Sequence, residues 1–211
     1  MPKYYKPVVF IVCLIPLILL LWNGANDQLG ANPIETITRR TGDWALRFLL
    51  LTLTITPLRI LFNWKKPIRF RRMLGLYTFF YAMLHFLTYL VLDQFFDVSE
   101  IVKDIIKRPY VTVGFTAFVL TIPLAATSTN AMMKRLGRRW KQLHKLVYVV
   151  AVCGILHFLW LVKADILEPL VYALVLLILL AVRAWSKRGD NGMQVKVGVK
   201  MNNTISGKGR T

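Results

Sequence analysis

Three kinds of residue are scarce in this chain: 2 of its 211 residues are cysteine, 3 are histidine and 10 are acidic. Cys13 and Cys153 both lie inside apolar runs, which excludes a disulfide framework and a thiolate metal site. They read as small core hydrophobes. The shortage of acid against 28 Lys and Arg leaves a net charge of +18. Such a charge suits nucleic acid only where the basic residues gather on a folded soluble face. Here they punctuate apolar runs, so nucleic acid is not expected as a partner. No glycine-rich phosphate loop is present either. What the chain has in excess is apolar surface, with 56% hydrophobic residues and a mean hydropathy of +0.51. A soluble domain usually holds about 45–50%. The chain reads as a membrane protein.

A hydrocarbon core of about 30 Å takes roughly 20 apolar helical residues. Six stretches meet that length: 7–22, 44–62, 73–92, 110–127, 143–162 and 166–185. The second contains Arg47 and Arg59, each near an end from which its stem can carry the guanidinium to the interface. Pro123 is expected to bend the fourth. Lys3 and Lys6 before the first run resemble the start of a signal peptide, but no small-x-small cleavage site follows, so the helix is expected to be retained.

Basic residues set the orientation. With the amino terminus inside, 21 Lys and Arg fall on the inner side, including the group from Arg183 onward, and 7 on the outer side. Nine of the ten acids fall outside, Asp190 being the exception. The expected fold class is therefore an all-α integral membrane protein, a six-transmembrane-helix bundle over residues 1–187 with both termini cytoplasmic. Residues 188–211 read as a disordered tail. The inner basic surface also suits anionic membrane lipid.

Two outer loops carry helix signals. Asn32-Pro33-Ile34-Glu35 has the form of a helix start, with Asn32 as cap and Glu35 able to close a capping box. Ser99-Glu100 could begin a short helix whose Ile101, Val102, Ile105 and Ile106 share one side, suited to lying on the membrane or meeting a partner.

An ionisable group inside a membrane span is a functional candidate. All three histidines fall in the third and fifth spans, which run parallel. His85 and His157 lie at matching depths toward the outer leaflet. Two imidazoles at one depth on adjacent helices are what bis-histidine ligation of a haem iron requires, and an interhelical hydrogen-bonded pair is the alternative. His144 lies 13 residues before His157, about 20 Å lower, where the third span offers Arg71 and Arg72 but no histidine. A haem there would be five-coordinate or unusually ligated, with the arginines meeting propionates. A separation of 13 turns an ideal helix about 220° beyond whole turns, so the two rings share a direction only if the helix is irregular, with Gly154 as the expected place.

The runs LGANP (29–33), FLLLTLTITPL (48–58), RRMLGLY (71–77), His85 with Tyr89, RPYVTVG (108–114), TSTNAM (127–132), LGRRWKQLHKLVY (136–148) and HFLW (157–160) resemble the MsrQ (YedZ) family. The likeness covers about residues 10–185. The resemblance implies a ferric-reductase-like membrane domain in the bacterial inner membrane that binds haem b and carries FMN. It implies an electron-transfer subunit, itself not the catalyst, serving a periplasmic molybdopterin methionine-sulfoxide reductase, MsrP, that repairs oxidised proteins. The quinone pool or a cytosolic flavin reductase is the implied donor. By the same resemblance His85, His144 and His157 are haem-binding and metal-ligating, with Arg71 and Arg72 beside the cofactor. Larger relatives have two histidines on each of the two helices, one of which this chain lacks, and a flavin and nicotinamide domain that is not expected after Trp185. Two rival readings are a free-standing ferric or oxygen reductase and a non-haem structural or transport subunit.

Overall fold

A computed structural model of the chain describes residues 5–162 and 166–186. The tail expected from 188 onward lies outside the described residues. Among these the chain is helical, with no strand. The helices are α1 (Tyr5–Ala25), α2 (Pro33–Phe62), α3 (Arg71–Thr88), α4 (Val98–Lys107), α5 (Pro109–Ala126), α6 (Asn130–Leu136), α7 (Arg138–Leu143), α8 (Leu146–Leu161) and α9 (Leu167–Ser186). A 3₁₀ turn over Lys66–Phe70 leads into α3, and a π-helical turn over Tyr89–Asp93 ends it. Six helical segments, Tyr5–Ala25, Pro33–Phe62, Lys66–Asp93, Pro109–Ala126, Arg138–Leu161 and Leu167–Ser186, are long and apolar enough to cross a membrane.

The boundaries have local causes. Asn32 caps α2 as its sequence suggests, Oδ1 accepting from the Glu35 amide at 3.3 Å, and Glu35 accepts from the Asn32 side chain at 3.1 Å. This cap does not start a separate loop helix, because nothing between Pro33 and Trp44 breaks the periodicity. The second membrane helix therefore begins at Pro33, well before the expected 44. Asp97, not Ser99, caps α4, accepting from the Ser99 and Glu100 amides at 2.9 and 3.1 Å. The apolar side expected of that helix is split. Ile101 and Ile105 are half-buried, whereas Val102 and Ile106 are exposed.

Two clusters hold the bundle. Leu46, Leu49, Leu50 and Leu53 of α2 pack on Val150, Ala151, Ile155 and Phe158 of α8 and on Leu176 and Leu179 of α9. Phe48 meets Tyr77 and Tyr81 of α3 and Cys13 of α1 in the second. Tyrosine hydroxyls pin α1: Tyr77 donates to the Phe10 carbonyl at 2.8 Å, and Tyr81 donates to the Cys13 carbonyl at 2.9 Å while accepting from the Leu17 amide at 3.2 Å. The Tyr81 hydroxyl thus stands between a helical donor and the carbonyl it would ordinarily meet.

Two arginines add to the sequence reading. Arg47 also finds partners within the bundle: its Nε donates to the Tyr172 hydroxyl of α9 at 2.8 Å, and an Nη lies 3.8 Å from Glu168. Arg183, counted with the inner basic flank, is 6% exposed, and its Nη2 donates to the Leu53 carbonyl. Pro57 has no N–H, so it leaves that carbonyl without its helical donor.

Candidate functional site

Two cavities lie end to end between α2, α3, α5 and α8. The first, of about 330 Å³, is lined by His85 and His157 and opens toward Arg39, Asp93 and Arg108 at the end of the bundle that bears the acids. The second, of about 390 Å³, is lined by His144, Arg69, Arg71, Arg72 and Trp140 at the basic end. Leu49, Thr78, Thr121 and Val150 line both and form the wall between them.

In the first cavity the structure brings His85 and His157 together, ring centres 6.1 Å apart and planes at 72°. Each Nδ1 meets a backbone carbonyl, His85 that of Thr38 at 2.8 Å and His157 that of Tyr110 at 2.7 Å. A carbonyl only accepts, so each Nδ1 carries the proton and each neutral ring keeps its Nε2 lone pair for a ligand. Such a bond from the far ring nitrogen is how proteins orient metal-binding histidine. A metal midway, with bonds of about 2 Å from nitrogens roughly 1 Å in front of each ring centre, calls for centres about 6 Å apart. The observed spacing fits an iron held by both rings.

Glycines make this approach possible. A Cβ on Gly42 would stand 3.0 Å from His85 Nδ1, and one on Gly114 would stand 2.6 Å from His157 Nδ1. The α5 backbone therefore comes closer to its imidazole than a side chain at 114 permits, and the α2 backbone close enough that a Cβ at 42 would be tight.

These contacts recur with one spacing. Thr38, Gly42 and His85 are matched 72 positions on by Tyr110, Gly114 and His157, so α2 with α3 and α5 with α8 form two equivalent hairpins. The same offset pairs Arg72 with His144 and Ile68 with Trp140, all four lining the second cavity. The first cavity thus has two imidazoles in equivalent places, and the second has one imidazole and one guanidinium.

His144 stacks on Trp140 with ring centres 3.9 Å apart, and its Nδ1 lies 3.2 Å from the Trp140 carbonyl. Its Nε2 is buried without a close hydrogen bond among the described residues, with the Leu124 backbone beside the ring. Trp140 is itself anchored, its Nε1 donating to the Thr127 carbonyl at 2.9 Å. The rotational mismatch between His144 and His157 is removed at His144 itself, which sits in the turn between α7 and α8; Gly154, the expected irregularity, lies within α8. Arg72 reaches across the mouth of the second cavity to the Asn130 side chain.

Near the mouth of the first cavity, Asp104 is 6% exposed and accepts from the Tyr89 hydroxyl at 3.3 Å, Gln94 Nε2 at 3.2 Å and Arg108 Nε at 3.2 Å. Of the candidates named from the sequence, His85 and His157 line the first cavity and His144, Arg71 and Arg72 the second. Gly42, Gly114, the two carbonyls, Trp140 and Asp104 were not among them; the 72-residue recurrence of glycine and histidine was an available signal for the glycines and carbonyls, and none marked Trp140 or Asp104.

Residues 41–155 match the family model of the ferric reductase like transmembrane component. The chain is 57% identical over 192 residues to the protein-methionine-sulfoxide reductase heme-binding subunit MsrQ of Herminiimonas arsenicoxydans, covering 88% of each chain. It is 56% identical over 190 residues to the protein of the same name from Ralstonia nicotianae, covering 87% of this chain and 88% of the relative. The corresponding Rhodospirillum rubrum protein is 54% identical over 179 residues, at 83% and 85% coverage. No solved structure matches.

Proposed function

Because the chain belongs to the MsrQ heme-binding subunits of the ferric-reductase-like transmembrane family, we propose that it is the b-type haem subunit that carries electrons outward to a periplasmic molybdopterin methionine-sulfoxide reductase. The observation that carries this reading is the His85–His157 pair: two rings 6.1 Å apart with both Nδ1 protons committed to carbonyls. A bound haem supplies one-electron chemistry at a potential tuned by its axial ligands and surroundings.

The residues have separable roles. His85 and His157 would hold the haem iron through Nε2, and the Thr38 and Tyr110 carbonyls hold those rings in one tautomer. Gly42 and Gly114 let the supporting helices close on the rings. His144, Arg71 and Arg72 serve the inner cavity, where three guanidinium groups with Arg69 and one imidazole suit a planar group bearing phosphate or carboxylate, FMN or a second haem. Only the four-residue wall of Leu49, Thr78, Thr121 and Val150 would separate two such groups.

In this reading the basic end of the bundle and both termini face the cytoplasm of a bacterial inner membrane, and a quinol or flavin reductase supplies electrons there. The acid-bearing end faces the periplasm, where the acceptor docks near the mouth formed by Arg39, Asp93 and Arg108. The test is reconstitution. Purified protein in vesicles, reduced from the inner side, is expected to reduce the periplasmic reductase outside. Efficient reduction of ferric chelates or oxygen with no transfer to that reductase would favour a free-standing reductase, and absence of a Soret band would end the haem reading.

A further inference from the structure

Arg183 poses a charge problem that its hydrogen bond does not solve. The residue is 6% exposed in α9, and its guanidinium lies 5.2 Å from the centre of the Tyr148 ring. One nitrogen serves the Leu53 carbonyl and the Tyr148 side chain lies beside the group, but Nε and Nη1 are buried and make no close hydrogen bond among the described residues. A neutral donor would serve that carbonyl equally well, without the cost of desolvating a full charge. Acids could neutralise it, yet those among the described residues are Asp27, Glu35, Asp43, Asp93, Asp97, Glu100, Asp104 and Glu168, which all belong to the opposite end of the bundle.

The surroundings of Arg183 lead to the inner cavity. Leu53 follows Thr52 and Tyr148 follows Val147, and Thr52 and Val147 both line that cavity. Arg183 is also within electrostatic reach of Arg71, which lines the cavity itself. Arg69, Arg71 and Arg72 line the cavity directly, and no acid does. The cavity is consequently a concentration of positive charge in which Arg69, Arg71 and Arg72 are exposed and Arg183 alone is buried, where its field is least screened.

We infer that Arg183 is an electrostatic determinant of the inner site: a buried positive charge that, with Arg71 and Arg72, raises the redox potential of the group held there by favouring its reduced form. The inference rests on the proposal that the inner cavity holds a redox cofactor. One-electron reduction from a flavin or quinol donor adds one unit of negative charge to the site and makes or breaks no bond. A fixed positive charge stabilises that reduced state relative to the oxidised one. Arg183 acts through the field and is not a ligand.

The experiment is a spectroelectrochemical titration of the purified full-length protein as wild type, Arg183→Gln and Arg183→Lys. Glutamine keeps an N–H for the Leu53 carbonyl and removes the charge, whereas lysine keeps the charge. The expected result is unchanged haem content and thermal midpoint in Arg183→Gln, a downward shift of the inner redox wave larger than that of the outer wave, and recovery of most of the shift in Arg183→Lys. An unmoved or upward inner wave in Arg183→Gln overturns the inference. So does equal loss of cofactor from both variants, which would mark a structural role, and so does a single redox wave in the haem-loaded wild type. A wild-type protein without a Soret band would instead strike the haem proposal itself, a result separable from all of these.

Discussion

Gly114 and His157 stand closer than any side chain at position 114 would allow, since a Cβ built there would lie 2.6 Å from Nδ1 of the imidazole. Inside a helix, glycine to alanine ordinarily stabilises by about 1 kcal/mol. Here the sign reverses, because the ring must leave the Tyr110 carbonyl or the α5 and α8 backbones must separate, an overpacking cost of about 1–3 kcal/mol. Gly114→Ala is expected to reduce haem per polypeptide roughly tenfold or more, measured by pyridine haemochrome assay. Gly42→Ala, with its contact at 3.0 Å, is expected to lose less.

Asp104 gathers three donors on one buried carboxylate and ties α4 to the end of α3. Asp104→Ala leaves Tyr89, Gln94 and Arg108 without that acceptor and is expected to cost about 2–4 kcal/mol, lowering the thermal midpoint of the detergent-solubilised protein. A midpoint equal to wild type would show that the network adds nothing to stability.

Tyr81→Phe removes the hydroxyl that joins α3 to the Cys13 carbonyl and Leu17 amide of α1. Leu17 can then bond Cys13 directly within its helix, so the expected loss is small, about 1 kcal/mol. The separation of α1 from the bundle is the sensitive readout. A cysteine crosslink between the two helices should form more slowly in the variant.

Orientation follows from where charge is found. A cysteine placed at Asp27 is expected to react with a membrane-impermeant maleimide added to spheroplasts, and one at Lys134 only after permeabilisation. Cys13 is buried within α1 and Cys153 half-buried within α8, which keeps the background reaction low. The opposite pattern would invert the proposed direction of electron flow.

Much of this architecture was legible in the sequence, because hydrocarbon thickness and backbone satisfaction leave a membrane chain few choices. Apolar length gave the six crossings, and matching depth brought His85 opposite His157. Boundaries were less legible where two signals merged, as at Asn32, whose cap opens the second membrane helix instead of a loop element. Features set by another helix could not be read from local pattern. The Arg183 side chain in α9 serves a carbonyl orphaned by Pro57 in α2, four membrane spans earlier in the chain, and the break that turns His144 lies at a position with no glycine or proline. Gly42 and Gly114 were visible in principle, because each precedes its histidine by the same interval.

The central claim is that one iron is held by His85 and His157, and the absorbance and electron paramagnetic resonance spectra of three single variants test it most directly. His85→Ala and His157→Ala are each expected to abolish the six-coordinate low-spin signal of the outer haem, while His144→Ala leaves that signal in place. Retention of the full low-spin signal in either of the first two variants would contradict the account.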